Sequence, residues 1–114
     1  MELQYGEVEE NVRLIKLIGR LDISGVSEIE NDFSERCAGE GPRVIVDLSE
    51  VDFLASIGIR LLTLQANSIG GRGGRMVLLR PRPDVRAILE ITGIPAIVTI
   101  HESLESARTA LIAD

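Results

Sequence analysis

Hydrophobic positions change period several times along these 114 residues, and each change marks a different element. Leu3 and Tyr5 alternate with polar neighbours, which predicts a short edge strand followed by a polar turn over residues 7–11. Residues 12–18 are rich in β-formers and largely apolar on both faces, the pattern of an inner strand, so the two strands should form an antiparallel hairpin. Asp22-Ile23-Ser24-Gly25 supplies helix-cap chemistry, and Val26, Ile29, Phe33 and Cys37 then share one helical face. Gly39, Gly41 and Pro42 stop that helix.

The continuous apolar run at 44–48 predicts a buried parallel strand, residues 49–55 a loop, and 56–69 a second helix. Gly70 to Gly74 reads as a flexible break before another buried strand at 76–79. Pro81-Arg82-Pro83 is turn material, after which Asp84 caps a third helix with Val85, Ile88, Leu89 and Thr92 at helical spacing. Gly93 ends this helix, Pro95 restrains the next loop, residues 97–100 form the last strand, and 103–112 the last helix with Leu104, Ala107 and Leu111 inward. After the opening hairpin, strands and helices alternate. This predicts one α/β domain over residues 1–114, a mixed sheet with parallel crossovers and covering helices, and a core including Ile15, Leu17, Val44, Val46, Val77, Leu79 and Val98.

Charge narrows the partners. Residues 1–60 hold 13 acids against 6 bases, whereas residues 61–114 hold 5 against 6, within an overall net charge of −6. An acidic chain with 3% aromatics lacks the basic surface and stacking platforms of a nucleic-acid binder, and its acidic half suits a basic protein surface instead. No run approaches the ~20 apolar residues of a membrane span. The opening Met1-Glu2-Leu3-Gln4 is not the start of a signal peptide, so a cytoplasmic protein without membrane contact is expected.

Few residues are equipped for chemistry. Gly70–Gly74 lacks the Gly-Lys-Ser/Thr ending of a phosphate loop and follows a helix rather than a strand. Cys37 lies on an apolar helix face, as a structural thiol does, and His101 has no second histidine or cysteine to join it. Asp47 ends a buried strand, the position of a phosphoacceptor in receiver domains. The sole lysine, Lys16, lies in an early strand, so Asp47 reads as a loop-orienting hydrogen-bond acceptor. These shortages argue against an enzyme and imply neither metal nor cofactor. Ser56 is the sharper candidate. At a helix start its hydroxyl can cap an N–H group, and the positive helix end can equally tolerate a phosphate there.

Residues 47–59, Asp-Leu-Ser-Glu-Val-Asp-Phe-Leu-Ala-Ser-Ile-Gly-Ile, resemble the signature loop of STAS domains, in particular bacterial anti-sigma factor antagonists, whose pattern runs D-x-S-x-V-x-F-[ML]-D-S-[ST]-G-[LI]. Gly19-Arg20-Leu21-Asp22 resembles the family's G-E-L-D, Gly70-Gly71 through Met76-Val77-Leu78 its later G-G strand, and residues 88–94 its L-F-x-x-[ST]-G-[LI] segment. The resemblance implies a bacterial partner-switch regulator of transcription. When unphosphorylated, such a protein binds an anti-sigma factor that is also a serine kinase of the histidine-kinase-like ATPase fold. Phosphorylation of the signature serine breaks the complex, and a PP2C-type phosphatase restores it; Mg²⁺ and ATP belong to the kinase. Carried over by position, Ser56 is the phosphorylated residue, and Asp22, Ala55, Ser56, Ile57, Gly58 and Ile59 form the partner-binding surface. Ala55 stands where the pattern has aspartate, and Ile57 where it has serine or threonine. The alternatives are a STAS subunit of a larger signalling assembly or a ligand-sensing module without sigma-factor output and, in a different class, a small enzyme.

Overall fold

The computed structural model describes residues 1–112. Five strands form one sheet in sequence order: β1 (Glu2–Glu9), β2 (Val12–Leu21), β3 (Arg43–Leu54), β4 (Arg75–Leu79) and β5 (Ile100–His101). β1 and β2 are antiparallel, and β2, β3, β4 and β5 pair in parallel. This is the expected α/β domain with a mixed sheet. Parallel neighbours require crossovers, which α1 (Ile23–Arg36), α2 (Ser56–Gly71) and α3 (Pro83–Ile91) supply. These three helices pack on one face, where Val26, Ile29, Phe33, Leu61, Leu62, Ile69, Val85 and Leu89 meet Ile15, Leu17, Val44, Val46 and Leu78. The last helix, α4 (Leu104–Ile112), returns to the opposite face and covers Val12, Ile45, Val77 and Leu79 with Ala107 and Leu111. All seven expected core residues are buried, but Val77 and Leu79 belong to this second layer. A Glu9–Arg108 bridge at 2.7 Å ties α4 to the hairpin.

Several boundaries differ from the sequence reading. β1 continues to Glu9, and its turn shrinks to Glu10 and Asn11, with Asn11 at φ 65°. Pairing of Glu7 with Arg13 and Glu9 with Val12 carries these polar residues into the sheet. The expected loop at 49–55 is strand as far as Leu54, because β2 extends to Leu21 and offers it register partners. The glycine segment is not a flexible break throughout: α2 runs on through Gly71, and a Cβ at Gly74 would lie 2.2 Å from the Pro42 carbonyl oxygen. Residues 97–100 do not form the last strand; Ile94–Ala96 is a 3₁₀ turn and only Ile100 and His101 pair with β4, although Val98 is buried as expected. Arg82, not Asp84, occupies the cap position of α3, since Pro83 takes its first turn and moves Asp84 inside.

Arginines close the end of the sheet where β3 begins. Arg13 donates to the carbonyls of Arg36 and Ala38 at 3.0 and 2.7 Å, and Arg72 to those of Cys37 and Gly39 at 3.1 and 2.5 Å. Together they satisfy acceptors that the C-terminus of α1 leaves open. Cys37 is fully buried beneath them, and desolvation pushes its thiol up to about 11, so it is inert at neutral pH.

The glycines of α2 give a test with two signs. Gly58→Ala places a Cβ within 2.9 Å of Leu21 and should destabilise the fold by ~3 kcal/mol. Gly70→Ala, with nothing within 4 Å, should stabilise it by ~0.5–1 kcal/mol. Chemical denaturation of both variants checks this. Val46→Asp, an unpaired charge in the core, should cost several kcal/mol by the same assay.

Candidate functional site at the carboxyl ends of β2 and β3

Two helices begin side by side where β2 and β3 end. Leu21 pairs with Leu54 as the final register of the two strands, and the Ala55 N–H donates to the Leu21 carbonyl at 3.0 Å. α1 starts after Asp22 and α2 after Ala55, so Asp22, Ala55, Ser56, Ile57, Gly58 and Ile59 are gathered at one end of the molecule.

This approach needs two residues without side chains. A Cβ on Gly25 would stand 1.8 Å from the Arg20 carbonyl oxygen, and one on Gly58 2.8 Å from Leu54 and 2.9 Å from Leu21. Both glycines are buried. Gly58 therefore lies inside the site, holding α2 against β2, rather than on its outer surface. Ile57 and Ile59 are half-buried and pack on the core, while Ser56 is exposed.

Capping distinguishes the two helix starts. Asp22 caps α1: its Oδ1 accepts from the Gly25 N–H at 2.8 Å, and Oδ2 receives Arg20 Nε at 3.3 Å. The Gly25 hydrogen bond, with the Arg20 contact behind it, holds the Asp22 carboxyl below its ordinary value of 3.8. For α2 the capping expectation is corrected. Ala55 occupies the N-cap position, Ser56 is the first helical residue, and no side chain caps the helix. The chain enters α2 directly from the extended end of β3, one residue earlier than the serine's capping chemistry suggested. The Ser56 hydroxyl thus stands at the rim of the positive helix end with no capping duty.

The surroundings carry residues that periodicity did not single out. Ile23, Phe53 and Leu64 are 74%, 39% and 55% exposed, large values for apolar side chains. A shallow groove between α1 and α2 is lined by Val26, Glu30, Ile57, Arg60, Leu61 and Leu64. Arg20 lies over the Phe53 ring at 4.0 Å. The alternation Gly19-Arg20-Leu21-Asp22 at a strand end is the signal that places Arg20 opposite buried Leu21. Glu50 is paired with Lys16 at 2.5 Å and Asp22 with the Gly25 N–H, while Asp52 is exposed. Two irregularities in the β2–β3 register give β3 extra residues here. At the first, buried Asp47 accepts the Ser49 N–H at 2.9 Å, the acceptor role read for it, though within a strand rather than a loop.

Elsewhere, His101 is held between Thr99 Oγ1 at 2.8 Å and Ser106 Oγ at 2.7 Å, and burial, then Arg75, lowers its pKa. Among the described residues no group of three or more His, Cys, Asp or Glu is placed to hold a metal, and no helix is long and apolar enough to cross a membrane.

The STAS domain model matches residues 6–107. The chain belongs to the STAS domain family. Among relatives of this STAS domain, a STAS-domain containing protein of Pseudomonas aeruginosa is 31% identical over 86 residues, covering 75% of this chain and 84% of that protein. The anti-sigma F factor antagonist of Lysinibacillus sphaericus is 27% identical over 95 residues, covering 82% of this chain and 81% of that protein. The fold is shared with the anti-sigma factor antagonist SpoIIAA in its unphosphorylated form, with a TM-score of 0.76, 24% identity, and coverage of 96% of this chain and 95% of SpoIIAA. The Bacillus cell fate determinant SpoIIAA in its phosphorylated form superposes with a TM-score of 0.70, at 22% identity and over 96% of this chain and 99% of that chain.

Acid titration tests the Asp22 cap. A depressed folded-state pKa contributes stability that is present above the unfolded value, near 3.8, and lost as pH falls through the folded value. Asp22→Asn keeps a capping oxygen and should flatten the loss of melting temperature below about pH 4. Asp22→Ala should lower the melting temperature by about 5 °C at neutral pH.

Proposed function

We propose that this STAS domain is a non-enzymatic partner switch working in the cytoplasm. Unphosphorylated, it binds an anti-sigma factor that is also a serine kinase of the histidine-kinase-like ATPase fold; phosphorylated at Ser56, it lets go, and a PP2C-type phosphatase resets it. The observation that carries this reading is the exposed, non-capping Ser56 at the first turn of α2, in a region flanked by exposed Ile23 and Phe53. Relatives named as anti-sigma factor antagonists support the same class of partner. Asp22, Ala55, Ile57 and Ile59 complete the contact surface, and Gly58 positions it.

The physics of the switch rests on two terms of opposite sign. A phosphate adds ~−1.5 to −2 charges, which the helix end favours by ~0.3–1 kcal/mol. Facing a fixed like charge at ~4 Å across an interface costs ~4 kcal/mol at an effective dielectric near 20. The interface term is larger, so phosphate on Ser56 dissociates the complex while leaving the fold intact. Ala55 and Ile57 make the immediate surroundings apolar, so little in them solvates the added charge.

The test measures affinity for the purified kinase across wild type, Ser56→Ala, Ser56→Asp and protein phosphorylated by it. Phosphorylation should weaken binding about a hundredfold, equivalent to ~3 kcal/mol, and Ser56→Asp by part of that. Ser56→Ala should bind as wild type, resist release, and change stability by less than ~0.5 kcal/mol. Equal affinities throughout would remove the switch.

A further inference from the structure

We propose that Arg20, mounted on Phe53, binds a carboxylate of the partner and so selects which ATPase-fold protein this chain engages; this rests on the proposed function above. Two residues, Phe53 and Asp22, build Arg20 into its position. Its register partner on β3 is Phe53, because an irregularity between Gly19 and Arg20 shifts the pairing, and the two side chains share a sheet face. The guanidinium lies 4.0 Å from the ring centroid, a cation–π arrangement. Asp22 Oδ2 takes Nε at 3.3 Å, and Asp22 is itself fixed by the Gly25 N–H at 2.8 Å. These contacts orient the group while occupying only Nε. Both Nη groups lack a hydrogen-bond partner among the described residues, and the side chain is 58% exposed.

The other cations of β2 are already engaged, Arg13 by the carbonyls of Arg36 and Ala38 and Lys16 by Glu50. Arg20 therefore presents a free, pre-oriented donor fork at the end of the molecule where Ser56 lies. A planar fork with two parallel N–H donors matches a carboxylate. Exposed Phe53 beneath it and Ile23 on the adjoining helix start supply apolar surface that dries such a contact on docking.

Charge complementarity describes the occupant. Residues 1–60 carry 13 acids against 6 bases, so a partner for this half is basic overall. Opposite Arg20 the same partner must carry the reverse sign. A partner carrying a cation at that point would be repelled, so discrimination comes from repulsion as well as attraction.

The experiment titrates wild type, Arg20→Gln, Arg20→Glu and Ser56→Asp against each histidine-kinase-like ATPase encoded in the same genome, with melting temperatures and sedimentation recorded for every variant. For the ATPase that binds wild type, Arg20→Gln should weaken affinity about fivefold and Arg20→Glu about thirtyfold or more, with melting temperatures unchanged. Replacing one acidic residue of that ATPase by lysine should restore binding to Arg20→Glu. Affinities of both Arg20 variants within twofold of wild type, while Ser56→Asp still weakens binding, would overturn the inference and leave the proposed function standing. An Arg20 effect confined to the phosphorylated protein would overturn it too, by making the guanidinium a phosphate ligand. A homodimer that Arg20→Glu dissolves would assign the fork to a second copy and equally overturn it. No binding by any of the ATPases would overturn the proposed function and the inference with it.

Discussion

The architecture depends on how closely two helix starts approach the ends of two parallel strands. At Gly25 and Gly58 backbone packs against backbone or against Leu21 and Leu54 with no room for a Cβ. A hydrogen bond from Ala55 to Leu21 locks β3 to β2 at the same level. Because the core of this face lies directly below, with Leu21, Leu54, Leu61 and Leu62 all buried, the site inherits the rigidity of the core. A surface made in this way has no loop left to order, which would lower the cost of association for any partner docking on it.

The same arrangement divides the capping work unequally between the two helix starts. Capping of α1 is assigned to Asp22, whereas α2 begins from Ala55 with no side-chain cap. Ser56 is thereby exposed and free of capping work. On the neighbouring strand ends Asp22 is engaged with the Gly25 N–H, Glu50 with Lys16, and Arg20 with Asp22 and Phe53. These pairs are fixed to the strands, and the Nη groups of Arg20 stay exposed beside them.

Much of the fold could be read from the order of residues, because parallel strands buried on both faces leave unbroken apolar runs and amphipathic helices leave a stripe. Residues 44–48 and 76–79 are neighbouring strands for that reason, and Val26, Ile29, Phe33 and Cys37 are buried on one helix. The Asp22 cap was legible from its local chemistry alone. The reading failed where pairing decides the state of a segment. Residues 49–54 are polar enough to pass for a loop, yet β2 offers them partners; residues 97–99 are apolar enough to pass for a strand, yet pairing with β4 in the strand register begins only at Ile100. Gly74 looked like freedom and is a close contact with Pro42.

The sequence by itself determined the α/β class, the helical faces and the identity of most core residues. Each of these follows from local periodicity or from a motif of neighbouring residues, and neither requires knowledge of what lies across the sheet. Tertiary structure alone decided that Ala55 rather than Ser56 is the α2 cap and that Gly58 faces inward. It also decided that Arg20 is carried by Phe53, 33 positions along the chain. Those outcomes depend on the register between β2 and β3, which is set by irregularities that place two strands of unequal length in step. Register is a relation between distant segments, and no property of either segment alone contains it.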